Sequence, residues 1–441
     1  MNAQDTPRSE VTVQEALQAA MGLHRGGQFD EAQALYERIL EAQPENADAL
    51  HFLGLLMRQR SRHAEALELM RRAVAAAPDY ASAHNNLANL LCETGKLDEA
   101  ARHLLRALEL EPDDVRALNN LGNVARAAGQ TEEAVRCFER AVELAPEFAL
   151  PYENLGRVHM VAGDIPRAHV MFCKAVALDH ELTHSRQFVG LALCELGRFE
   201  EAREYYRQWT EAEPDNPVPR HLAATVRGEA PPMRASDRYV RTVFDTFAGS
   251  FDVHLQRLEY RAPGLVIDAL RAGATGSGLR ILDAGCGTGL CGPLLRLLAA
   301  ELEGVDLSPK MLERARTTGH YDSLFEAELS AFMRGRPGRY DAFSCADTLC
   351  YFGGLDDAAQ ATFAALRPGG VFSFSVEALA QTGSQEPYRL MHTGRYAHTE
   401  RYVREAAKGA GFERVNVSAA WLRMEAGKQV AGYVVMARKA L

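Results

Sequence analysis

Ile281-Leu-Asp-Ala-Gly-Cys-Gly-Thr-Gly289 is the stretch on which the fold of the second half turns: an apolar run ends in an acid, then glycine takes every second position. Gly285, Gly287 and Gly289 let a backbone turn tightly and press against a ligand with no Cβ in the way. On either side the sequence alternates strand and helix. Strands are expected at Leu279 to Asp283, Leu302 to Asp306, Tyr340 to Cys345 and Gly370 to Val376, with helices near Cys291 to Ala300, Pro309 to Thr318 and Asp356 to Leu366. Apolar strands separated by helices predict a mostly parallel, doubly wound α/β sheet whose ligand site lies off the carboxyl ends of its strands. After Gly411, the apolar runs Val415 to Leu422 and Val430 to Ala437, joined by Arg423-Met-Glu-Ala-Gly-Lys428, predict an antiparallel hairpin finish.

The first half obeys a different rule. Proline recurs at Pro44, Pro78, Pro112, Pro146 and Pro214, at multiples of 34 residues, and His180 fills the missing position. Within each period the eighth place is small (Ala20, Gly54, Ala88, Gly122, Gly156, Gly190) and the twentieth is alanine (Ala32, Ala66, Ala100, Ala134, Ala168, Ala202). Two antiparallel helices per unit need small residues where they cross and a stop after the second. The period and these places resemble the tetratricopeptide repeat, in six units from Val13 to Asn216. Such an array implies a concave groove that holds a protein or peptide. Asn86, Asn120 and Asn154 stand in register on the first helices. Either they bond neighbouring repeats, or they resemble the peptide-holding asparagine ladder in the repeat domain of O-linked N-acetylglucosamine transferase.

With 441 residues, more than one domain is expected. The boundaries read as repeats over 13–216, a short helix His221 to Arg227 and linker over 217–236, and an α/β domain over 237–441. The prolines of Pro217-Val-Pro219 and Glu229-Ala-Pro-Pro-Met233 are expected to interrupt helix. Residues 1–230 hold 24 Lys+Arg against 36 Asp+Glu, while 231–441 hold 25 against 23. An acidic array argues against nucleic acid, whose phosphates demand clustered cations. The polar start, Met1 to Glu10, predicts no membrane segment or secretion signal, and the eight scattered cysteines read as reduced cytoplasmic thiols without metal-ligand spacing.

Dinucleotide binding is the rival reading of the glycine loop, but that fingerprint needs Gly or Ala where Leu290 stands. The acid two residues before the first glycine resembles the cofactor loop of class I S-adenosylmethionine (AdoMet)-dependent methyltransferases. This resemblance implies that Asp283, Gly285, Cys286, Gly287 and Gly289 frame the cofactor, and that Asp306 in Val305-Asp-Leu-Ser-Pro309 accepts the ribose hydroxyls beside Leu307. Tyr321-Asp-Ser-Leu-Phe-Glu-Ala-Glu328 then resembles the adenine-flanking segment, through Glu328 and Leu329 or, alternatively, Glu326. Asp347 and Tyr351, past the fourth strand, would stand where the transferred methyl faces substrate; alternatively Asp347 holds the methionine amine and Tyr351 caps the pocket. The aromatic segment Asp237 to Leu255 resembles a helical cover of the pocket, and Tyr388 to His398 is expected to cover the active site, with His392 and His398 as candidate bases.

Taken whole, the chain resembles bacterial methyltransferases preceded by tetratricopeptide repeats, its catalytic half similar to the ubiquinone/menaquinone C-methyltransferase-like branch. Three functions follow from the resemblance: methyl transfer with the repeats recruiting a protein substrate or partner, small-molecule methylation with repeats used for localisation or oligomerisation, and a non-catalytic AdoMet-binding scaffold. The acceptor atom does not follow, because fold does not fix function.

Overall fold

A computed structural model describes residues 12–60, 62–226, 231–249, 251–274, 276, 278–380, 386–425 and 427–441. Met1 to Glu10 and the linker residues Arg227, Glu229 and Ala230 lie outside the described residues. The chain divides into two compact units: residues up to His159 together with Val170–Ser185, and Met160–His169 together with Arg186–Leu441.

The first unit is built of antiparallel helix pairs, beginning with Val13–Arg25 and Phe29–Ala42, then Ala47–Gln59 and His63–Ala76, and continuing through Ala81–Glu93, Leu97–Leu110, Val115–Ala127 and Thr131–Leu144. The small eighth-place residues are there for close approach. A Cβ added at Gly122 would sit 2.5 Å from the Phe138 ring, and one at Gly156 would sit 2.7 Å from Phe172. The asparagines pair in a stagger between repeats. The amide nitrogen of Asn120 donates to Oδ1 of Asn85 at 2.8 Å, and that of Asn154 to Oδ1 of Asn119 at 2.9 Å. Asn86 meets His51 Nε2 at 2.9 Å, and His51 in turn meets the Tyr80 hydroxyl at 3.1 Å. A sixth-place amide thus reaches back to the fifth place of the preceding repeat.

In the second unit the helix expected from His221 to Arg227 runs instead from Pro217 to Ala223. Both prolines fall in its first turn, where no amide hydrogen is needed, and Asn216 caps it by accepting from Val218 N. The aromatic segment forms two helices, Asp237–Phe247 and Phe251–Arg257, and a helix Ala262–Gly273 leads into the sheet. The strands among the described residues are β1 (Leu279–Ala284), β2 (Ala299–Asp306), β3 (Ser323–Glu326), β4 (Tyr340–Cys345), β5 (Leu366–Ala378), β6 (Tyr388–Leu390), β7 (Tyr396–His398), β8 (Arg414–Glu425) and β9 (Lys428–Arg438). Their order is β3-β2-β1-β4-β5-β7-β6, with β9 on the other edge of β5 and β8 beyond it. β1 to β5 pair in parallel, whereas β9 is antiparallel to both β5 and β8.

Three details depart from the expected elements. The helix placed near Cys291 to Ala300 is only Gly292–Arg296, and β2 begins at Ala299, because Leu279 pairs with Ala299 and draws the chain into the sheet early. Arg423 and Glu425, placed in a turn, belong to β8. Tyr388 to His398 forms the hairpin β6–β7. Since β9 takes one edge of β5 as far as Glu377, β7 adds to the other edge, past the end of β4. Leu282, Phe343, Phe372, Val376 and Val435 meet in the core of this sheet.

Candidate functional site

A cleft of about 930 Å³, its open mouth included, lies off the carboxyl ends of β1, β2 and β4, where the strand order reverses direction. The loop after β1 is stitched to the end of β2: the amides of Gly285 and Cys286 both donate to Val305 O, at 2.8 and 3.1 Å. Positive φ at Gly285 (74°) and Gly287 (54°) makes this turn possible. A Cβ at Gly285 would overlap Thr348, whereas one at Gly287 would meet nothing closer than Phe251 at 4.0 Å and would project into open space. Gly285, Cys286 and Gly287 line the cleft. Gly289 instead packs against Tyr321 and Ala315.

Asp306 is held from both sides. Its Oδ2 accepts from Gly287 N and its Oδ1 from Ser308 N, each at 2.9 Å. Burial raises its pKa and these backbone donors oppose the rise. Asp306 also lines the cleft. Asp283 lies deeper, almost wholly buried, and accepts from the Tyr321 hydroxyl at 2.7 Å. Burial pushes its carboxyl up to about 7 against that hydrogen bond.

Leu307, Ala327, Glu328 and Leu329 form the wall beyond Asp306. Glu328 caps the helix Leu329–Arg334, accepting from Ser330 N at 3.1 Å and Ala331 N at 2.7 Å. Glu326 ends β3 half-exposed and pairs with Arg241 at 2.9 Å. Val240, Phe244 and Phe251 bring the two aromatic helices over the cleft. Polar ties fasten them there: Ser308 donates to Asp245 at 2.6 Å, and Thr288 to Asp252 at 2.5 Å.

At the opposite end stand Asp347 and Tyr351. Asp347 has φ of 52°, a strained value for a residue with a side chain. Its amide donates to Ser375 Oγ at 2.9 Å, and its Oδ2 accepts from Arg423 at 2.8 Å. Arg423, 4% exposed, also donates to Glu377, and Arg395 bridges Glu377 and Glu425. Burial raises the pKa of Asp347, and the Arg423 guanidinium opposes it. Arg423 and Glu425 escaped the sequence reading; their one signal is a pair of charges spaced two apart on an otherwise apolar run.

The two histidines lie elsewhere. His398 is fully buried, its Nε2 against the carbonyls of Phe352 and Gly353 at 2.8 and 3.1 Å. Burial holds it at about 4 despite those contacts. His392 packs against Phe199 with ring centres 5.7 Å apart, and burial lowers its pKa. Neither lines the cleft, so the hairpin expected to cover the site braces the wall behind it. Among the described residues no His, Cys, Asp and Glu cluster suits a metal ion, and no helix is long and apolar enough to cross a membrane.

Comparison with known proteins finds the tetratricopeptide-repeat family over residues 79–147, and again over 17–81, 121–176 and 153–217. Residues 255–417 match the methyltransferase-domain family. Human methyltransferase-like protein 27 is 37% identical over 134 residues, 27% of this chain and 55% of that protein. The ubiquinone biosynthesis O-methyltransferase of Bordetella pertussis is 33% identical over 106 residues, covering 22% and 43% respectively. This chain thus spans about half the length of these two relatives. Among solved structures, PilW, a type IV pilus biogenesis factor, is 25% identical with a TM-score of 0.44, over 47% of this chain and 96% of that one.

Proposed function

We propose, for a chain that joins tetratricopeptide repeats to a methyltransferase domain, AdoMet-dependent methyl transfer, with the repeats recruiting a protein that is or delivers the acceptor. The observation that carries the cofactor is Asp306, a cleft-lining carboxylate fixed by Gly287 N and Ser308 N, of the kind that would accept from a ribose diol. Glycine at 287, where any side chain would intrude on the cleft, agrees with a ligand pressed against the loop.

When bound, AdoMet supplies a methyl group already activated on a positively charged sulfur. Asp306 would hold the ribose, with Gly285, Cys286 and Gly287 beneath it and Asp283 bracing the loop from behind. Leu307, Glu328 and Leu329 would flank the adenine. Asp347 would face the cationic end, where a net negative cluster suits positive charge, and Tyr351 would border the acceptor. The chain's contribution is then positioning and exclusion of water. No imidazole reaches the cleft, so His392 and His398 have no part in this reading.

On the array, Asn86, Asn120 and Asn154 each commit one side-chain N–H to the preceding repeat, while their carbonyl oxygens have no donor among the described residues. These oxygens would accept from the backbone N–H groups of an extended peptide. Incubating lysate with methyl-labelled AdoMet tests both halves at once. Wild type should label a protein or metabolite, and replacing all three asparagines by alanine should lower labelling while AdoMet affinity stays. Absence of any label would overturn catalysis; unchanged labelling would leave the asparagines only their role between repeats.

A further inference from the structure

A second cavity abuts the cofactor cleft. Tyr260, Pro263 and Leu290 line both, and Leu255 and Trp421 complete the outer apolar wall. Tyr260 packs in the same cluster as Ala346, the neighbour of Asp347, so the shared wall stands at the Asp347 end of the cleft. On the Tyr351 side, backbone is tied to backbone. Ala235 N donates to Tyr351 O, and Gly353 N and Gly354 N both donate to Met233 O, all at 2.8 Å. Leu290 on the other side is 39% exposed.

The charges in and beneath the outer cavity are unequal. Asp252 is engaged by Thr288 and lies 3.7 Å from the Arg314 guanidinium, and Arg261 lies over the Trp421 ring, 4.1 Å from its centre. Glu259 has no partner among the described side chains, and its φ of 48° holds it in the left-handed region. Behind Tyr260, three carboxylates (Asp347, Glu377, Glu425) surround two guanidiniums (Arg395, Arg423), and the one negative charge left over is the one that would face the cofactor's cationic end. An aromatic wall beside the unpaired Glu259 favours a flat ring that bears a cation.

We infer that this outer cavity seats the methyl acceptor, and that the acceptor is a small aromatic molecule carrying a positive charge, its ring against Tyr260 and Trp421 and its cation toward Glu259. The inference rests on the AdoMet reading above. Tyramine and 4-hydroxyphenylacetate, a cation and an anion of similar ring and length, are suitable probes. Each is titrated by calorimetry and saturation-transfer NMR into full-length protein saturated with S-adenosylhomocysteine.

Tyramine should bind at least about fivefold more tightly than the anion. Trp421→Ala should weaken it about five- to tenfold, and Glu259→Gln should cut the preference for the cation about threefold, more at low salt. Affinity for S-adenosylhomocysteine should persist in both variants. Equal or tighter binding of the anion, tyramine affinity untouched by Trp421→Ala, binding of neither probe, or competition between tyramine and S-adenosylhomocysteine would each overturn the assignment. Wild-type protein that fails to bind S-adenosylhomocysteine would overturn instead the cofactor reading beneath it.

Discussion

Replacing Asp306 by asparagine changes one atom and reverses one interaction. The carboxylate accepts from Gly287 N and Ser308 N at 2.9 Å each, through different oxygens. An amide has a single acceptor oxygen, so its NH2 must point at one of those two N–H groups. One backbone donor is then stranded, at about 1–3 kcal/mol. A ribose hydroxyl also loses an ionised acceptor, worth roughly twice a neutral one. Together we expect about 2–4 kcal/mol less binding energy for AdoMet, or roughly thirty- to a thousandfold in Kd. Part of the stranded-donor cost falls on the free protein, so its thermal midpoint should drop by a few degrees. Calorimetry with AdoMet, with near-UV circular dichroism to verify folding, reads both. A folded variant that binds AdoMet within about threefold of wild type would refute the argument.

Two further perturbations address groups buried behind the cleft. Asp283 titrates in the folded protein near 7, above its unfolded value, so the native state binds that proton more tightly. Its contribution is therefore greatest at low pH and is lost as pH rises from about 4 to about 7, on the order of a few kcal/mol at most. Urea midpoints at pH 5 and pH 8 should diverge more for wild type than for Asp283→Asn; parallel shifts would refute it. Arg423→Met strands Asp347, leaves Glu377 to Arg395 alone, and should cost about 3–5 kcal/mol at neutral pH. Part of that loss should return as the pH falls and the abandoned Asp347 carboxylate takes up a proton. A loss below about 1 kcal/mol would mean that the guanidinium does not hold these acids.

The repeat period was readable because steric need repeats with it: Gly122 and Gly156 are small for the same reason, the ring of Phe138 or Phe172 lying across them. The glycine loop after β1 was readable because backbone geometry demands glycine. Elsewhere the chain carries no such demand. Nothing local announces that the apolar run through Leu297 and Leu298 should leave its helix by Ala299, since pairing with Leu279 decides it. The asparagine stagger was half visible: the register was plain, but not that a sixth-place amide reaches the preceding fifth place. The histidines stood out among ionisable neighbours, yet His398 is spent on two backbone carbonyls. Burial of that kind depends on strand order, and β7 joins β5 across residues that no periodicity connects.

The two ends of the cleft differ for one physical reason. The end beside β1 and β2 is made of backbone: two amides on Val305 O, two more on Asp306, and glycines where a Cβ would collide or intrude. Backbone requirements restrict residue type sharply, and so they leave a motif. The Asp347 end is made of side chains contributed from far along the chain, Tyr260 from before β1, Ser375 from β5 and Arg423 from β8. Many residue types can satisfy packing and charge there, provided the set agrees internally. Such an end can change its ligand without disturbing the loop. Substitutions near Asp283 to Gly289 should therefore alter cofactor affinity whatever the acceptor, while those at Tyr260, Glu259 and Trp421 should alter acceptor choice at nearly constant cofactor affinity.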